Sequence, residues 1–183
     1  MFFINSRKLI KYAFVFLFAA SLSLNFYQYQ KNLDFQQSLG ASFQNTVRKT
    51  IFHLDDPAGF WQEELKNENG NVALERHRGK LEANADKFNA MGGNMGVMGD
   101  QLHYLSKLYW NLAIAVSSGA ENTRELNEQI EGHRSFITEA LKETNDHLGE
   151  DEMLWFNELS NPDSQTSKQF WEEFKAFESG LEN

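Results

Sequence analysis

The chain has 183 residues, a net charge of −9 and no cysteine. That length suffices for one domain with its own core, and the missing cysteines exclude disulfides, thiolate metal sites, cysteine nucleophiles and cysteine-linked lipid anchors. The acidic balance repels phosphate backbones, so a nucleic-acid partner is not expected.

The charge is unevenly spread. Residues 1–31 carry +4, residues 32–120 carry −2 and residues 121–183 carry −11. Sixteen Phe and four Trp argue against disorder, and only Pro57 and Pro162 interrupt a chain otherwise free to be helical.

Arg7, Lys8 and Lys11 mark residues 1–11 as a basic tail. Tyr12 to Gln30 then reads YAFVFLFAASLSLNFYQYQ, nineteen residues without a charge. As a helix this segment is about 28 Å long, close to the ~30 Å hydrocarbon core of a bilayer. Its first half is strongly apolar, and its second half grades into Asn25, Phe26, Tyr27, Gln28 and Tyr29, a mixture suited to an interface. The upstream cations predict a cytoplasmic N-terminus and an extracytoplasmic body formed by residues 31–183. Ala19-Ala20-Ser21 offers a cleavage site for a secretory signal. The apolar run continues past it through Leu22, Leu24, Phe26 and Tyr27, which favours an uncleaved anchor over residues 12–30.

From Asp34 onward the spacing predicts helices and no strand. Leu39, Phe43, Val47, Ile51 and Leu54 lie on one face of a helix over 34–54. Asp55-Asp56-Pro57 predicts a restart, an acidic N-cap followed by proline at the first helical position. Phe60, Trp61 and Leu65 fill the short helix after it, which ends in the turn-like run 67–71. A third helix, about 72–91, turns Leu74, Leu81, Ala85 and Phe88 inward. The glycine-rich run 92–99 is expected to interrupt it. Leu102, Leu105, Tyr109, Leu112 and Val116 form the seam of the next helix, about 100–118. In helix five, about 122–148, Leu126, Ile130, His133, Ile137, Leu141, Thr144 and Leu148 share one face, and Gly149 closes it. Two aromatic helices follow, about 150–160 and 165–179. The predicted fold class is all-α: a transmembrane helix followed by a helical bundle, with the aromatic C-terminal helices folded over it.

Chemistry is thinly signalled. A ferritin-like metal site needs paired Glu-x-x-His motifs, and none occurs. Asp100 with His103, and Glu143 with His147, share helix faces as exposed acidic helices often arrange them. His133 falls on the apolar seam and is expected to be a hydrogen-bonded core residue. There is no Gly-x-Ser-x-Gly elbow, and Gly93, Gly96 and Gly99 lack the lysine of a phosphate-binding loop. No enzyme activity and no cofactor is therefore expected.

Two features remain. Met91, Met95 and Met98, spaced four and three with His103 nearby, would place soft ligands suited to Cu(I) on one face if the segment were a continuous helix. The plainer readings are gap-filling methionines and small residues that admit a neighbouring helix. Trp155, Phe156, Phe170, Trp171, Phe174 and Phe177 form an aromatic set in an acidic third of the chain. They read as core cover or as anchors of a docking surface for a basic or helical protein partner. The expected function is non-enzymatic protein–protein interaction or scaffolding by a single-pass protein of a bacterial envelope. The alternative is an extracytoplasmic sensor or carrier of a small ligand or soft metal.

Overall fold

The structure, a computed structural model, describes residues 6–181, which form seven helices and no strand among the described residues. Of the basic tail read over residues 1–11, residues 1–5 lie outside the described residues. The helices are α1 (Ser6–His53), α2 (Ala58–Glu64), α3 (Gly70–Met91), α4 (Met95–Ser118), α5 (Thr123–Leu148), α6 (Glu152–Leu159) and α7 (Gln165–Leu181).

The chain divides into two units, residues 1–38 and residues 39–183. The described part of the first is helical throughout, and it contains the segment that is long and apolar enough to cross a membrane. Between Tyr12 and Gln30 the side chains are open to the surroundings, Ala20 alone being partly covered. The two segments read from the sequence as an anchor and a following helix belong to one 48-residue helix. No proline or glycine lies between residues 12 and 34 to break it.

The second unit is a bundle built on the faces that periodicity picks out. Phe43, Val47 and Leu54 are buried at the end of α1, and Leu74, Leu81, Ala85 and Phe88 are buried on α3. Leu102, Leu105, Tyr109 and Leu112 are buried on α4, with Val116 packed partly against them. All seven seam positions of α5, from Leu126 to Leu148, are buried. The closest pairing joins α3 to α4, and α5 packs on α4; α2 lies against α5, α3 and α4, while α7 packs on α4, α5 and α6.

The glycine-rich run between α3 and α4 differs from its expected form. Only Gly92, Gly93 and Asn94 interrupt the helices, and Gly96 to Gly99 already belong to α4. Gly92 and Gly93 adopt φ of 76° and 55°, a region that a side chain disfavours. A Cβ on Gly99 would lie 2.8 Å from the Ala85 carbonyl oxygen, so the absent side chain is what lets α4 meet α3. The geometry agrees with both plainer readings of this run: Gly99 admits the neighbouring helix, and Met95 and Met98 are buried in the core.

The restart after α1 also differs. Pro57 is itself the N-cap of α2, and no side chain of the loop caps that helix. The cap comes from α5: the Ala58 amide donates to Glu131 Oε2 at 3.2 Å. Arg134, ion-paired to Glu131, donates from Nη1 to the Leu54 carbonyl at 2.7 Å. This arrangement holds Glu131 below the usual carboxylate range, first through its bond from Arg134.

A second junction ties α1 to the turn between α5 and α6. The Gly149 carbonyl accepts from Gln44 Nε2 at 2.8 Å and from Trp155 Nε1 at 2.9 Å. Arg48 donates from Nε to Asn145 Oδ1 at 2.8 Å and from Nη2 to Glu150 Oε1 at 2.7 Å. Gly40 makes the approach possible, since a Cβ there would fall 1.7 Å from the Glu152 carbonyl oxygen. Asp151 caps α6 by accepting from the Met153 and Leu154 amides.

A paired substitution tests this packing. Gly40→Ala should lower the melting temperature and cost about 2 kcal/mol or more, because backbone must move to admit the methyl group. Gly132→Ala, in the middle of α5 with nothing within 4 Å of the new carbon, should gain up to about 1 kcal/mol. Thermal melts of both variants followed by circular dichroism check the pair; equal effects would show that α1 does not press on α6.

Candidate functional site

The C-terminal aromatics are largely consumed by packing. Trp155 is fully buried and Phe170 is buried. Phe177 stacks on Phe136 of α5 with ring centres 4.4 Å apart and an interplanar angle of 7°. It also meets His133 edge-on at 4.9 Å. Phe174 lies 5.7 Å from Trp171 and 6.5 Å from Phe136, and Phe156 packs partly against the core. Trp171, with Lys175 over its ring, is the member of the set that remains exposed. The sequence left the set open between core cover and docking anchors, and the structure divides it: Trp155 and Phe170 are buried, and α7 lays Phe174 and Phe177 against α5. The sequence could not separate these uses, because an amphipathic helix has the same pattern whichever surface it covers.

The methionine set is divided too. Met91 is the last residue of α3 and Met95 the first of α4, with the two left-handed glycines nearby. Met95 and Met98 are core residues, whereas His103 is exposed and lies 3.4 Å from Asp86 across the α3–α4 pair. The single helical face on which the three thioethers were to meet does not exist, because the helix breaks between them. No group of three or more His, Cys, Asp or Glu side chains is placed to hold a metal among the described residues.

His133 is buried, and its Nδ1 is 2.9 Å from Gln101 Oε1. That oxygen can only accept, so Nδ1 carries the proton. The reading of a hydrogen-bonded core histidine agrees with this geometry.

Two surface features emerge that the sequence did not single out. The first is an apolar groove of ≈ 520 Å³ between the start of α3 and the end of α4, lined by Asn71, Glu75, Trp110, Ala113, Ile114 and Ser117. Trp110 and Ile114 are 46% and 51% exposed, and Val72 nearby in sequence to Asn71 is 52% exposed. Arg78 stacks on the Trp110 ring at 5.0 Å and is fixed by bonds to Glu75 and to the Ser106 carbonyl. Trp110 is thus held in place while still facing solvent. In the sequence, Trp110 and Ile114 sit four apart and off the seam of α4, a signal that could have found the groove.

The second is a cleft of ≈ 320 Å³ beside the α1–α2 loop, walled in part by Trp61 and His77. The two rings lie 4.4 Å apart, and Tyr109 meets His77 edge-on at 5.0 Å. All three side chains are buried, and Trp61 Nε1, His77 Nε2 and Tyr109 Oη have no hydrogen-bond partner. Burial lowers the His77 pKa to about 4, with His53 and Lys80 adding to the effect. His77 is neutral at pH 7.

This histidine makes a pH-dependent contribution to stability. Its folded pKa lies below the ordinary 6.5, so the unfolded chain takes up the proton first as pH falls. Stability should decline from about pH 6.5 to about pH 4 by roughly 3 kcal/mol and then level off with respect to this group. His77→Leu should flatten that slope in denaturant unfolding measured across the same range. An unchanged slope in the variant would place the acid sensitivity elsewhere.

No family model, no curated protein and no solved structure matches this chain, so the reading of these surfaces rests on their own geometry.

Proposed function

We propose that the chain is a single-pass membrane protein anchored through residues 12–30, with its N-terminus in the cytoplasm and its bundle outside, and that it acts by binding another protein at a bacterial envelope rather than by catalysis. The observation that carries this reading is the exposure of the uncharged segment. Phe14, Phe16, Leu17, Phe18, Leu22 and Leu24 are each more than half exposed, in an apolar stretch of α1 of which no part is buried. At about 25 cal/mol per Å² of apolar surface, such a helix is costly in water and stable in lipid. The cations Arg7, Lys8 and Lys11 upstream supply the expected orientation.

The binding half of the proposal is supported by the Trp110 groove. A large aromatic held by Arg78 yet open to solvent beside an apolar hollow has the character of an interface anchor. Residues 32–183 sum to −13, so the partner that fits is a basic protein offering an apolar side chain to the groove.

The tether and the surface are tested separately. Protease added to intact spheroplasts should remove the bundle, and carbonate washing should leave the full-length chain in the membrane. Release by carbonate would overturn the anchor. A photo-reactive amino acid at position 110 should give one discrete protein adduct in intact membranes, and the same probe at Glu139 should give none. Trp110→Ala should weaken capture of that adduct partner by ~2 kcal/mol or more, with melting changed by less than about 1 kcal/mol.

A further inference from the structure

The cleft beside the α1–α2 loop carries a second assignment, independent of the membrane tether and of the Trp110 groove. Its wall carries Phe52, Asp55, Asp56 and Trp61, and Arg76 and Lys80 from α3. Two of these charges are negative and two positive, and among the described residues none of the four takes part in an ion pair or side-chain hydrogen bond, Asp55 acting on Arg134 and Asp56 on Tyr109 only through space. Opposite charges facing one hollow without pairing leave both signs available to a third party.

The polar atoms around the charges are biased toward donation. Asn84 Nδ2 donates to His53 Nδ1 at 3.1 Å, so the neutral His53 ring keeps its proton on Nε2. Trp61 Nε1 can only donate, and it is buried in a residue 95% removed from solvent without any acceptor. A buried donor left without an acceptor is costly. Lys80, with Lys49 of α1 and Lys87 of α3 behind it, also acts on His53, and Arg76 and Lys80 make the α3 side of the cleft basic. The remaining surface is aromatic: Phe52 is 74% exposed, and Trp61 stands between Phe60 and His77.

We propose that this cleft binds a small zwitterion with an aromatic body, the chemistry of a free aromatic amino acid. Its carboxylate lies toward Arg76 and Lys80. Its ammonium lies toward Asp55 and Asp56, and its ring packs on Phe52. The cleft volume stands at the lower end of the range that small-molecule sites occupy, which suits a ligand of this size. The two acids are free to serve because Glu131 and Arg134 of α5, rather than the loop's own carboxylates, satisfy the ends of α1 and α2.

The test uses the full chain in detergent micelles and follows the four indole N–H resonances by NMR, Trp61 being assigned with Trp61→Phe. L-phenylalanine should shift the Trp61 resonance saturably. Phenylacetate and phenethylamine, which keep one charge each, should bind at least about tenfold more weakly. Lys80→Gln and Asp56→Asn, both at exposed positions, should each weaken L-phenylalanine by about tenfold, while Lys107→Gln should not. A Trp61 resonance that L-phenylalanine leaves unmoved would overturn the assignment. Equal binding of phenylacetate would overturn it as well, by showing a carboxylate site without a role for the acids.

Discussion

The carbonyl of Leu54 and the amide of Ala58 lie on either side of a proline loop, and each needs a hydrogen-bond partner beyond its own helix. One ion pair on a third helix meets both needs: Arg134 donates to the carbonyl and Glu131 accepts from the amide. Helix ends left without partners are costly when covered, so α1 and α2 can meet at this angle only because α5 supplies the caps. The position of Trp61, the opening beside His77 and the freedom of Asp55 and Asp56 all follow from that pair. The bundle thus spends one partly buried ion pair on chain direction.

Close approach of backbones is the second constraint. Gly40 admits α6 to α1, and Gly99 admits α4 to α3. Around each contact the large side chains fill what remains, with Trp155 near the first and Met95 and Met98 near the second. Trp155 illustrates the economy of the arrangement. Its ring is wholly buried, yet its N–H reaches the Gly149 carbonyl, which Gln44 of α1 also contacts. Burying an indole without such an acceptor would cost about 1–3 kcal/mol, and this is the situation in which Trp61 is left. Both rings belong to the core, and they differ in that one N–H is satisfied and the other is not.

The aromatic residues sort by the same logic. Phe136, Phe174 and Phe177 join α7 to α5 through ring contacts, so the acidic C-terminal third is mainly a cover for the bundle. Trp110 belongs to another group: it is fixed by Arg78 and still open. The proposed protein surface and the proposed ligand cleft are lined by different sets of residues. Either can therefore hold without the other.

Much of this was legible in the residues themselves. Composition and periodicity determine the all-helical class, the uncharged span over 12–30 and the inward faces of α3, α4 and α5, because burial against any neighbour demands the same 3.6-residue spacing. The loop acids, the methionines and the C-terminal rings were legible as features but not in their roles. Asp55 and Asp56 were expected to cap α2, and Glu131, more than seventy residues later, does so instead. Met91, Met95 and Met98 would share a face only on a continuous helix, and two left-handed glycines part Met91 from the other two. Trp110 and Trp171 resemble each other in sequence, and only the packing of α7 on α5 and the stacking of Arg78 tell them apart. A local pattern specifies which side of a helix must be covered. What covers it, and which polar groups are left unpaired once it is covered, depends on residues distant in the chain and is decided only when the helices meet.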